Sequence, residues 1–214
     1  MREAIHALKY GRLHPAAQRL GGMLANAIAQ LAGEAPADLL VIPVPLHRSK
    51  YAERGFNQSR SLAAQALPFL RRTHPQWRLT LAPTTLMRLR ATGSQAGLTP
   101  RQRRLNVRGA FSVSDPSQVR DQHILVVDDI LTTGATARAA AQTLLKAGAA
   151  SVWVATLARA QRSVPFGRHL YFESQEDAAP PDNDAEYNEG PLGEAMHATV
   201  LGSDSSTELE QTSF

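Results

Sequence analysis

The residues best equipped for chemistry in this chain form one unbroken run, Ile124-Leu125-Val126-Val127-Asp128-Asp129-Ile130-Leu131-Thr132-Thr133-Gly134-Ala135-Thr136. Four apolar residues lead into two adjacent carboxylates, and a hydroxyl-rich turn with a glycine follows. Carboxylates accept hydrogen bonds from hydroxyls or help to hold a hard cation. The N–H groups at a helix N-terminus bind anions through their free donors and the helix dipole. The run therefore predicts a buried strand, an acidic pair, a phosphate loop and a helix start in succession. Such a unit would take a ligand that carries both hydroxyls and a phosphate. A second group of candidates, Arg48, Lys50 and Arg54, lies between Pro45 and Gly55 and offers cations for further phosphates.

These groups need elements to bring them together. In an open parallel α/β sheet, ligands bind beyond the carboxyl ends of the strands. His123 to Val127 and Ser151 to Leu157 read as the two clearest strands, joined by an Ala-rich helix over 135–147 with Gly148 at its stop. Asp38 to Val44 reads as a third strand, ended by the prolines at 43 and 45. The loop Pro45 to Gly55 then opens on the same edge as Asp128 to Thr136, and that convergence is the main structural expectation. Asn57 is placed to cap a helix carrying Leu62, Ala63, Ala66 and Leu67, interrupted by Pro68. Leu13, Ala17, Leu20, Leu24, Ala27, Ile28 and Leu31 describe one face of an earlier helix that ends near Gly33. Leu79 and Leu81 mark an edge strand, and Gly109 to Val113 a short one. Between them Arg88 to Arg108 reads as a long arginine-rich loop, of the kind that is functional or mobile. Alternating strands and helices argue an open, mainly parallel α/β sheet flanked by helices.

Composition narrows the company this sheet can keep. The 214 residues contain no cysteine, so disulfides, thiolate metal sites and a cysteine nucleophile are excluded. No signal-like or long apolar segment is present, so no integral membrane segment is expected and a cytoplasmic location is. The net charge of +4 conceals an asymmetry. Residues 1–164 carry 22 Lys and Arg against 8 Asp and Glu, a balance of +14, whereas residues 165–214 carry one Arg against 11 acids, a balance of −10. A basic body implies polyanionic partners, either a multiply phosphorylated small molecule or nucleic acid. The division expected is a domain over 1–160 and an acidic, disordered tail over 165–214. That tail reads either as an inert solvating extension or as an autoinhibitory strip. The seven scattered histidines show no metal spacing. Trp77 and Trp153 read as packing residues.

Spacing separates the candidate motifs. A P-loop needs GxxxxGK[ST] and a dinucleotide fold needs GxGxxG, but Gly134 stands alone with no lysine behind it. A phosphoreceiver domain would need a lysine on a later strand, and no lysine follows Lys146. The thirteen positions from Ile124 to Thr136 resemble the signature of the type I phosphoribosyltransferases. Around them, Lys9-Tyr10-Gly11, Pro43-Val44-Pro45 and Arg54-Gly55-Phe56-Asn57-Gln58-Ser59 are similar to the ComF branch of that family, which includes the GntX proteins. So are Arg88, Thr92, Gln95, Leu98, Arg103, Arg104, Asn106 and Gly109-Ala110-Phe111. The likeness covers about residues 5–159.

The resemblance implies a type I phosphoribosyltransferase fold that binds 5-phosphoribosyl 1-pyrophosphate. On it, Asp128 and Asp129 would accept hydrogen bonds from the ribose 2- and 3-hydroxyls, and Thr132, Thr133, Gly134, Ala135 and Thr136 would wrap the 5-phosphate. Arg48, Lys50 and Arg54 would fall in the pyrophosphate loop. Arg88 to Arg104 would form an arginine-rich flexible loop closing over the reacting centre. Asp128, Asp129, Arg88 and Arg104 are the catalytic candidates, the carboxylates as stabilisers of an oxocarbenium-like sugar. Mg²⁺ would be held largely by ligand oxygens, with Asp128 or Asp129 as a contributor and no dedicated protein cage. ComF proteins commonly carry zinc-binding cysteines ahead of this domain, and with no cysteine here zinc is not expected. The glutamine chemistry of amidotransferases is likewise not expected. Members of the branch are associated with competence and with use of external DNA. A single-stranded DNA-binding accessory protein, or a sensor of the phosphoribosyl donor, therefore stands beside the transferase.

Overall fold

A computed structural model of the chain describes residues 14–91, 99–159 and 196–200. Helix α1 spans His14–Ala29 and is followed by strand β1, Asp38–Pro43. Two helices follow, α2 (Arg48–Arg54) and α3 (Gln58–Thr73), then strands β2 (Arg78–Leu81) and β3 (Leu86–Arg88). Next come α4 (Pro100–Val107), β4 (Phe111–Val113), a 3₁₀ turn at Pro116–Gln118, and β5 (His123–Leu131). The described chain finishes with α5 (Ala135–Lys146), β6 (Ser151–Arg159) and β7 (Met196–Val200).

Five strands form one sheet in the order β2-β1-β5-β6-β7, every adjacent pair parallel. Its inner strands are continuous apolar runs, as burial on both faces requires. Leu125 and Val127 face a core shared with α1 and α3, while Ile124 and Val126 face one shared with α5. Fully burying a leucine such as Leu24, Leu62 or Leu144 contributes about 1.5–3 kcal/mol, so these two cores supply the frame's main driving force. Helices α1 and α3 pack closely at Gly21, where a Cβ would meet the Cβ and backbone of Gln65. A separate antiparallel pair, β3 and β4, stands apart from the main sheet.

The expected parallel sheet flanked by helices is the architecture found, with β2 at its edge. Four local expectations are corrected. Pro45 to Gly55 is not all loop, because Arg48–Arg54 forms a helix with no buried residue. His47 caps that helix by accepting from the Ser49 N–H at 3.3 Å, and Gly55 ends it at φ 76°, a conformation that costs glycine little. Helix α3 runs through Pro68 rather than stopping there. That residue is exposed, so the carbonyl it leaves without an N–H faces water. The stretch Arg88 to Arg108 is partly ordered: Arg88 closes β3 and Pro100–Val107 is helical, while 92–98 of the expected flexible loop lie outside the described residues. Finally, β5 does not end before the acidic pair but carries it, since Asp128 pairs with Thr156 and Ile130 with Ala158. Met196–Val200, inside the stretch expected to be a tail, pairs with β6 and extends the sheet.

Candidate functional site

The acidic pair sits at the carboxyl end of β5, one strand from the carboxyl end of β1. Each carboxylate bonds to the backbone that carries it. Asp128 Oδ1 accepts from the Asp129 N–H at 2.9 Å, and Asp129 Oδ1 accepts from the Ile130 N–H at 2.8 Å. Such bonds compete with the strand ladder. Side-chain alternation lapses at this point: Ile130 packs with the α1/α3 core and Leu131 with the α5 core, out of phase with 124–127.

Asp128 is buried and Asp129 half-buried. Burial, and then the neighbouring Asp129 charge, push the Asp128 carboxyl up to about 8, against the pull of the Asp129 N–H and the Ser59 hydroxyl. Asp128 therefore favours its protonated form until a cation or donor arrives. Arg88, from β3, is close enough to feel the Asp128 charge. Its guanidinium lies over the Phe111 ring at 5.4 Å from the centroid. Burial lowers the Arg88 pKa, and the Asp128 charge partly restores it.

Immediately beyond β5 the chain turns through Thr132 and Thr133, both exposed, to Gly134. Gly134 is the N-cap of α5 at φ 74° and provides no side-chain cap, so nothing from the cap residue covers the first-turn N–H groups. With the positive end of the helix dipole, that turn can hold an anion next to the acidic pair.

The second cationic group joins the same edge through β1. The Val44 N–H donates to the Val127 carbonyl at 2.8 Å, which continues the β1–β5 ladder to the acidic pair. Asn57 Nδ2 donates to the Val44 carbonyl at 2.9 Å while its Oδ1 accepts from the Arg60 N–H at 3.1 Å, making Asn57 the expected cap of α3. Helix α2 thus stands between two anchored points. Of its cations, Arg48 is exposed and Lys50 and Arg54 are half-exposed. They share the sheet edge with Asp128, although no direct contact links them to it. Arg104 lies on α4, which packs against α5, but its side chain is outside the described residues.

The structure therefore gathers Asp128, Asp129 and Arg88 at one point, with Thr132 to Thr136 contiguous to them. It also contains participants that sequence reasoning passed over. Ser59 Oγ donates to Asp128 Oδ1 at 3.2 Å. Phe111 supports Arg88. Thr156 lies opposite Asp128 on β6. Ser59 and Phe111 stand inside stretches that had been singled out, but their contacts span 69 and 23 residues and have no local signature.

The chain matches the model of the phosphoribosyl transferase domain over residues 61–187. It is 38% identical over 157 residues to DNA utilization protein YhgH of Escherichia coli O157:H7, which covers 72% of this chain and 65% of that protein. It is 31% identical over 121 residues to Competence protein F of Haemophilus influenzae, covering 56% of this chain and 50% of the relative. The chain thus spans about two thirds or less of the curated relatives' length. Among solved structures it is similar to a glutamine phosphoribosylpyrophosphate amidotransferase from B. subtilis complexed with ADP and GMP. That match has 23% identity and a TM-score of 0.41, over 71% of this chain and 30% of the other. A hypothetical protein from Neisseria gonorrhoeae with bound ppGpp gives 13% identity and a TM-score of 0.37, over 90% and 82%.

Proposed function

Because this chain belongs to the phosphoribosyl transferase domain family, in its ComF branch, we propose that its site binds 5-phosphoribosyl 1-pyrophosphate and transfers the phosphoribosyl group to an acceptor. The observation that carries this reading is the unit formed by β5, Thr132 to Gly134 and α5. It carries two hydroxyl-accepting carboxylates near the carboxyl end of a strand that ends three residues before a helix N-terminus without a side-chain cap.

Asp128 and Asp129 then accept from the ribose hydroxyls, and the backbone and hydroxyls of Thr132 to Thr136 take the phosphate. Arg48, Lys50 and Arg54 face the pyrophosphate. Loss of pyrophosphate leaves positive charge on the sugar and negative charge on the leaving group. The acidic pair stabilises the first. Arg88, Arg104 and the α2 cations stabilise the second. Magnesium fits this donor set as a hard cation that keeps its waters and is brought largely on ligand oxygens. Asp128 or Asp129 would add a carboxylate to it, and the bound ion would neutralise pyrophosphate charge.

Calorimetric titration of the full chain with 5-phosphoribosyl 1-pyrophosphate tests the reading. Mg²⁺-dependent binding is expected, and Asp128→Asn/Asp129→Asn should weaken it by on the order of a hundredfold, as loss of two charge-assisted contacts predicts. Absent binding, or equal binding by the variant, overturns it. Pyrophosphate release across a panel of bases and amines identifies the acceptor, and binding with no release would make the protein a sensor. A second reading, single-stranded DNA binding through the arginine-rich segment, is favoured by the +14 balance of residues 1–164 and by the relatives' names.

A further inference from the structure

Five polar or charged side chains are buried among the described residues: Gln58, Ser59, Thr85, Asp128 and Thr156. Thr85 is satisfied elsewhere, donating to Gln118 Oε1 at 3.0 Å. Of the other four, Ser59 is bonded to Asp128, Thr156 lies opposite Asp128 in the sheet, and Gln58 precedes Ser59 in the first turn of α3. In a core otherwise filled by apolar side chains, burying a hydroxyl against a carboxyl costs desolvation that an alanine would avoid. The bond belongs to a closed circuit. From Asp128 it passes to the Val127 carbonyl, to the Val44 N–H at 2.8 Å, from the Val44 carbonyl to Asn57 Nδ2 at 2.9 Å, and through α3 to Ser59, whose Oγ returns to Asp128 Oδ1 at 3.2 Å. Each link is backbone or a short side chain, so the circuit leaves little freedom. Among the described residues, Ser59 Oγ and the Asp129 N–H both donate to Oδ1 of Asp128.

We propose that Ser59 is a positioning residue for the phosphoribosyl donor: it pins Asp128 through Oδ1 so that Oδ2 is presented to the ribose hydroxyls. The inference rests on the reading of the acidic pair as the ribose site. Through Asn57 and Gly55 the same segment continues into α2, so Ser59 also ties the placement of the pyrophosphate-facing cations to the placement of the ribose acceptor. A ligand that spans both ends meets the two halves already in register.

The test is the affinity of the full-length protein for 5-phosphoribosyl 1-pyrophosphate with Mg²⁺, measured for wild type, Ser59→Ala, Ser59→Thr and Asp128→Asn, and for Ser59→Ala combined with Asp128→Asn. Ser59→Ala should weaken binding about tenfold, the size of one hydrogen bond to a charged group. Ser59→Thr, which keeps the hydroxyl, should recover most of the loss. In the Asp128→Asn background Ser59→Ala should cost under about twofold, because what it positions is already impaired. Wild-type binding with an unimpaired Ser59→Ala overturns the inference alone, as does an equal Ser59→Ala loss in both backgrounds. If the wild type does not bind, the donor reading falls instead. The pinning is then read from denaturant unfolding of the same variants, where strictly additive losses would refute it.

Discussion

Asp128 carries two demands that conflict. As an acceptor for ligand hydroxyls it works best ionised, yet burial and its neighbour push its carboxyl from 3.8 up to about 8. The sign of the consequence for stability follows from linkage. A group that holds its proton more tightly when folded contributes stability that is fully present below its unfolded value and is lost as pH rises through the folded one. The ligand-free protein should therefore melt lower at pH 8 than at pH 5. Asp128→Asn, which cannot ionise, should shrink that difference, and scanning calorimetry at the two pH values checks it. A pH effect equal in wild type and variant would place the titrating group elsewhere. Affinity for a hydroxyl-bearing ligand should move the other way and improve as pH rises toward 8, because binding then no longer has to remove the Asp128 proton. Arg88, stacked over the Phe111 ring, feels the Asp128 charge, which partly restores the basicity that burial takes from its guanidinium.

At the scale of elements, the turn from β5 into α5 depends on Gly134, whose φ of 74° disfavours any side chain. Gly134→Ala should lower the unfolding free energy by about 1–2 kcal/mol, the cost of holding an L-residue left-handed, and denaturant titration measures it. The strand, glycine and helix of this unit were legible because periodicity, composition and turn chemistry all agree over consecutive residues. Asn57 was legible as a cap for the same reason. Helices α2 and α4 were not. The first buries no residue and is held by its two ends, and the second is so polar that no apolar period marks it. Nor was the extension of β5 through Asp128 visible, because it is imposed by pairing with Thr156 and Ala158 on a neighbouring strand. The Ser59–Asp128 bond lies furthest from reach, since it joins residues 69 apart through a fold that must exist first.

On the scale of the molecule, charge separates from fold. The sheet and its two cores are assembled by apolar burial, while the +14 balance over residues 1–164 would favour a polyanionic partner. If the basic body binds single-stranded DNA, each phosphate neutralised releases counterions. Affinity should then fall by roughly 10³–10⁵ between about 50 and 200 mM salt for six or more contacts. Electrophoretic mobility shifts across that range, with and without residues 88–108, distinguish this from small-molecule binding. A complex indifferent to both salt and the deletion would defeat the DNA reading.

The main sheet has a further property that follows from its last strand. Met196–Val200 covers one side of β6, whose residues Val152 to Leu157 are buried. A chain cut back to residue 160 would strip that cover and turn an inner strand into a margin, with a row of unanswered N–H and C=O groups beside Val152, Trp153 and Val154. Such a margin templates pairing with another copy. Residues 196–200 therefore move the margin of the sheet away from Val152, Trp153 and Val154, and a chain shortened to residue 160 would place it on them.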